Sequence, residues 1–135
     1  MKSRHPLLVA ASGLVAAGAA VSLPAAAASA ATPTSVVKNG HCSGTSLDNL
    51  QVQREDTGRL SVDFGVDMAR HIRGVVWKVT ESDNGTTFVS TNVRTIADGS
   101  FSITRVIVPR PGTNTIVGTA TSALTGETCK LTASI

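Results

Sequence analysis

Apolar and polar positions alternate through most of the chain after residue 31. Leu60, Val62, Phe64 and Val66 are interleaved with Ser61, Asp63, Gly65 and Asp67, the period of two that marks a half-buried strand. Val75, Trp77 and Val79 alternate with Val76, Lys78 and Thr80. Phe101 and Ile103 alternate with Ser102 and Thr104, and the run continues into Val106, Ile107 and Val108. Cys129, Leu131, Ala133 and Ile135 alternate with Lys130, Thr132 and Ser134. Turn signals separate the runs: Asp56-Thr57-Gly58, Asp83-Asn84-Gly85, Asp98-Gly99, Pro109-Arg110-Pro111-Gly112 and Thr125-Gly126. Strands are expected near 45–54, 59–67, 74–82, 86–95, 100–108, 114–122 and 127–134. Helical periodicity is absent from this stretch. The expected fold class is all-β: an immunoglobulin-like antiparallel β-sandwich of about seven strands, with Trp77 between the sheets and a small closed barrel as the alternative.

The first thirty residues follow another pattern. Lys2 and Arg4 precede an apolar zone from Leu7 to Leu23, and small residues follow, ending in Ala28-Ser29-Ala30. That is the layout of a cleavable signal peptide over residues 1–30. The competing reading is an uncleaved membrane anchor. It is disfavoured by an apolar zone of about seventeen residues rich in Ala and Gly, at the short edge for a span. The remainder divides into a linker, 31–41, and a sandwich domain, 42–135. The processed chain is expected to be secreted and extracellular, to be monomeric and to have no membrane span.

That division changes the meaning of the charge. The formal net charge is +3, and removing Lys2 and Arg4 lowers it to about +1. A nucleic-acid partner is therefore not expected. It also gives the two cysteines a compartment in which thiols oxidise. Cys42 and Cys129 are expected to pair and to close a loop of 87 residues. No Cys-x-x-Cys occurs, and His41-Cys42 lacks the spacing and ligand number of a zinc site.

Candidate chemistry is sparse. His41 adjoins a bridging cysteine, and His71 sits in Met68-Ala69-Arg70-His71-Ile72-Arg73, between two expected strands. No G-x-S-x-G follows a strand. Asp63 and Asp67 share a strand face but stand roughly 13 Å apart at strand rise, too far for paired-carboxylate hydrolysis. Asp83, Asn84 and Asp98 offer oxygens for calcium, but turn chemistry accounts for all three and the D-x-D-x-D pattern is missing. The aromatics are Phe64, Trp77, Phe88 and Phe101, three of them at inward positions, which leaves no stacking platform for sugars. No catalytic residue, metal or cofactor is expected.

What remains is surface. Val76 and Val117 fall on outward positions of strands expected to be neighbours, with Lys78, Thr119, Thr121, Lys130 and Thr132 around them. Arg70, His71 and Arg73 form a basic loop beside them. Val76, Lys78, Val117, Thr119, Arg70 and Arg73 are the candidate binding residues, for an extracellular protein or a cell-wall polymer. The expected function is thus a secreted non-enzymatic binding or interaction module. Two alternatives stand beside it: a carrier of a small apolar ligand in an inter-sheet cleft, and a small secreted enzyme.

The ordered set Cys42-Ser43-Gly44-Thr45-Ser46, Leu60 to Asp67, Gly74-Val75-Val76-Trp77, Asp83-Asn84-Gly85, Gly99-Ser100-Phe101 and Thr125-Gly126-Glu127-Thr128-Cys129 resembles a group of small secreted actinobacterial proteins with one β-sandwich domain and no assigned activity. The resemblance implies the fold and no catalytic residue. In composition the chain also resembles the secreted apoproteins that carry enediyne antibiotics, but it has two cysteines instead of four.

Overall fold

Strands whose side chains alternate between apolar and polar can hide one face each, so they stack in two layers. The computed structural model describes residues 25–27 and 34–135. It contains β1 (Ser35–His41), β2 (Leu47–Arg54), β3 (Leu60–Asp67), β4 (Val76–Asp83), β5 (Thr86–Arg94), β6 (Ser100–Ile107), β7 (Thr115–Ser122) and β8 (Thr128–Ser134). Two four-stranded sheets form, β1-β2-β3-β6 and β5-β4-β7-β8, and every pairing is antiparallel. The expected all-β sandwich is the observed architecture. The predicted signal peptide, apart from 25–27, lies outside the described residues.

The strands number eight, and the extra one is β1. The segment expected to be a linker, 31–41, is a strand from Ser35 onward, paired with β2 along its length. Alternation could not reveal it, because an edge strand buries little. Only Val36 and Gly40 are even half-buried in Ser35–His41. The other seven strands fall within about two residues of their expected bounds, the usual uncertainty of strand ends.

The inner faces meet in one core. Leu50, Val52, Leu60, Val62 and Phe64 come from one sheet; Trp77, Val79, Ile116 and Ala120 come from the other, and all are essentially unexposed. Trp77 packs on Phe101 with ring centroids 5.9 Å apart and planes tilted by 49°, an edge-biased arrangement aromatic pairs favour. Gly118 lies beneath the Phe64 ring. A Cβ there would come within 2.6 Å of Phe64 Cδ2, so this strand position must lack a side chain for the sheets to close.

Cys42 follows β1 and Cys129 lies in β8. Their disulfide therefore joins one sheet to the other, with a Cα–Cα distance of 4.2 Å. Closing 87 residues removes unfolded-state freedom worth about 4.5 kcal/mol in the chain-entropy model. Replacing both cysteines with alanine should lower unfolding free energy by about 4 kcal/mol, read from the urea midpoint at constant m. Native protein should show no titratable thiol. A variant as stable as the parent would show that the cross-link contributes nothing.

Candidate functional site

Parity within sheet β5-β4-β7-β8 sorts its charges. Trp77, Val79, Glu81 and Asp83 face inward along β4, so Val76, Lys78, Thr80 and Ser82 face out. The register carries this assignment to the neighbouring strands. Arg94 pairs with Val76, Asn92 with Lys78 and Ser90 with Thr80 on β5. Thr121, Thr119 and Val117 oppose Lys78, Thr80 and Ser82 on β7. Thr128, Lys130 and Thr132 oppose Thr121, Thr119 and Val117 on β8. The outer face thus carries Arg94, Lys78 and Lys130, all exposed, among serines and threonines, and no carboxylate. The hydroxyls of Thr80 and Thr119 bond each other across β4 and β7. The opposite outer face carries Asp63 and Asp67 on β3, with Asn49, Gln51 and Gln53 beside them on β2.

Antiparallel pairing brings the loops 42–46, 68–75, 95–99 and 123–127 to one pole of the sandwich. This pole is tied down by hydrogen bonds. Buried Thr95 holds the approach to β4: its hydroxyl accepts from Val75 N–H at 2.9 Å and donates to the Ile72 carbonyl at 2.6 Å. Its N–H donates to the Val75 carbonyl, and Gly74 N–H donates to the Thr95 carbonyl. Arg94 donates to the Gly74 carbonyl at 3.2 Å. His71, at φ +49°, donates from Nδ1 to the Asp98 carbonyl at 2.7 Å. Gly99 lies against it so closely that a Cβ would meet the His71 Cα at 2.7 Å. The chain on either side of Arg73 is therefore held in one shape, as a recognition surface requires.

Two clefts flank Arg73 and Gly74. One, of about 640 Å³, is lined by Arg73, Arg94, Thr95, Ile96 and Asp98. The other, of about 420 Å³, is lined by Ile72, Val75, Val76, Ala123 and Leu124. A third, of about 330 Å³, lies between the 43–46 turn, Arg70 and Glu127. There Glu127 accepts from Gly44 N–H, Ser46 N–H and the Ser46 hydroxyl at 2.8–3.1 Å, clasping the turn beside the disulfide. All three clefts are at the pole. The space between the sheets at Phe64 and Gly118 is filled.

The candidate residues divide accordingly. Val76, Lys78 and Arg73 are brought to one end of the β5-β4-β7-β8 face, Thr119 lies in its middle opposite Thr80, and Arg70 stands at the pole beyond. Val117 shares that face and sits on the strand next to Val76, but it opposes Ser82, six residues farther along β4. That is roughly 20 Å from Val76 at strand rise. The two valines therefore mark opposite ends of the face. Lys130, expected near the two valines, opposes Thr119 on this face, and Arg94 joins it without any sign in the sequence, because only register shows which residues stand beside Lys78. The turn containing Asn84 is at the far pole from Asp98, so the oxygens considered for calcium do not converge. Asp98 instead accepts from the Ser100 hydroxyl and N–H, which hold its carboxylate below the usual range.

The same parity puts acids in the interior. Glu81 is 0% exposed and neither carboxylate oxygen finds a hydrogen-bond partner among the described residues. Burial pushes it up to about 7, opposed by Arg105 and reinforced by Asp63. Asp48 and Asp83 are also buried and raised by burial, Asp48 with both oxygens unpartnered. Asp48 approaches Cys42 and Cys129 within 4.8 Å, but both sulfurs are bonded to each other and are not metal donors.

Two outcomes follow from this arrangement. The folded state holds the Glu81 proton more tightly than the unfolded chain, so its stability is full below the ordinary pKa near 4.5 and falls as pH rises toward 7. Glu81→Gln should match the parent at pH 4 and exceed it by about 3 kcal/mol at pH 8, read by denaturation at both values; a constant difference would contradict the burial account. Thr95→Val leaves Val75 N–H and the Ile72 carbonyl without their side-chain partner. It should cost about 1–3 kcal/mol and speed amide exchange at Val75, with unchanged exchange showing that the hydroxyl is not the clamp.

Comparison with protein-family models, with curated proteins and with solved structures finds no match to the chain.

Proposed function

We propose that the chain is an exported, non-enzymatic interaction module that acts outside the cell or at its wall, binding through the outer face of β5-β4-β7-β8 where that face meets the Arg70–Arg73 loop. The observation that carries this reading is a carboxylate-free sheet face, bearing exposed Arg94, Lys78 and Lys130, continuous with a loop pole fastened by Thr95. Export is supported by the leader pattern in residues 1–30 and by a buried disulfide, which suits an oxidising compartment. An immunoglobulin-like classification is supported by the crossings between sheets after β3, β5 and β6, and by Trp77 at the centre of the core. A binding role is favoured over catalysis because, among the described residues, no side-chain nucleophile or acid is hydrogen-bonded to His71, and the interior carboxylates are shut away from solvent. It is favoured over apolar-ligand carriage because Phe64 and Gly118 close the inter-sheet space.

Retention of the processed protein on isolated cell-wall material tests the reading. Val76→Asp and Arg73→Glu should each weaken retention about tenfold, a change of about 1.4 kcal/mol. Gln53→Glu, on the opposite outer face, should stay within about twofold. Equal retention of all three variants would dismiss the face.

A further inference from the structure

The cations of the outer face lie in a line. Arg94 is on β5 in the row of Val76, Lys78 is on β4 one row along, and Lys130 is on β8 in the next row, that of Thr80 and Thr119. With strands about 4.8 Å apart and successive same-face rows about 7 Å apart, the Cα atoms of Arg94 and Lys78 are ~8 Å apart and those of Lys78 and Lys130 ~12 Å. Arg73 adds a cation at the pole, where it lines one cleft with Arg94. Between the lysines stand Thr119 and Thr121, and Asn92, Ser90 and Thr128 flank them. The two acids of β4, Glu81 and Asp83, point into the core. The sheet part of the diagonal therefore carries no carboxylate, and the acid near its polar end is Asp98, which shares the cleft of Arg73 and Arg94 and is held by Ser100.

From this arrangement we infer that the face binds a linear polyanion, a phosphodiester-linked polyol chain laid diagonally from Arg73 and Arg94 past Lys78 to Lys130. The spacing suits repeated single charges and is too wide for one compact anion. Hydroxyl and amide groups between the cations match a ligand that offers hydroxyls between its phosphates. Of the aromatics on these strands, Trp77 is in the core and Phe88, at the β5 bulge, is half-buried against it, so the face lacks the exposed platform on which proteins stack the bases of single-stranded nucleic acid. The ligand so assigned presupposes that this face binds at all, as proposed above.

Titration of the processed protein with a purified poly(glycerol phosphate) chain, with single-stranded DNA of equal phosphate number as the competitor class, tests the assignment. Binding should appear at low salt and weaken about fiftyfold between roughly 50 and 200 mM salt for four phosphate contacts. Lys78→Gln with Lys130→Gln should weaken it at least tenfold, and Arg94→Gln severalfold. Far-ultraviolet circular dichroism and the urea midpoint verify that these exposed substitutions leave the fold intact, and Lys78→Glu with Lys130→Glu should abolish binding. No binding at 50 mM salt overturns the assignment. So does binding indifferent to the paired glutamine variant, or an equal affinity for DNA. If the polymer fails while wall retention remains sensitive to Val76→Asp, the ligand is wrong and the face stands; if both are lost, both readings fall.

Discussion

Closure of the two inner faces on each other is the constraint from which the rest of the molecule follows. Phe64 lying on bare Gly118, and Trp77 against Phe101, fix how near the sheets come and which side of every strand is inside. With period-two side chains, that choice at one position decides the whole strand. On β4 it seats Trp77 and Val79 in the core and brings Glu81 and Asp83 in with them. Burying carboxylates without partners is costly. The same parity leaves Lys78 outside with no acid beside it on its own strand. Stability lost in the core and the charge character of the surface are two results of one register.

Much of the fold was legible in the chain because burial writes alternation into sequence. Seven strands could be placed from it, and so could the inward Trp77. The cystine followed from the compartment implied by the leader. β1 escaped because an edge strand contributes little apolar surface: Val37, Lys38 and Asn39 are all exposed, and the pairing with β2 is made of backbone hydrogen bonds that leave no side-chain trace. Glu81 was legible in principle. It continues the series Val75, Trp77, Val79, and a charged residue in phase with a core tryptophan signals either a bulge or a buried charge. Here both occur, with the register against β5 shifting between Glu81 and Ser82.

The candidate site was less legible, for a different reason. Parity along one strand can be read from sequence, but the offset between strands cannot. Alternation puts Val76 and Val117 on the outer face, yet the β4–β7 register sets them at opposite ends of it. Register likewise brings Lys130, from the last strand, into the row of Thr80 and Thr119. The clamp at Thr95 depends on two distant backbone segments meeting, the one at Thr95 and the one from Ile72 to Val75, and a lone buried threonine gives no sign of that in one dimension.

Segregation of charge onto the two broad sides, cationic on β5-β4-β7-β8 and acidic on β3 of the other sheet, gives the molecule a dipole moment running through its thickness. Near a charged boundary such a body feels a torque before it feels contact. It arrives broadside, with one flat surface already turned toward the boundary, and a larger share of its collisions becomes productive than its small net charge alone would allow.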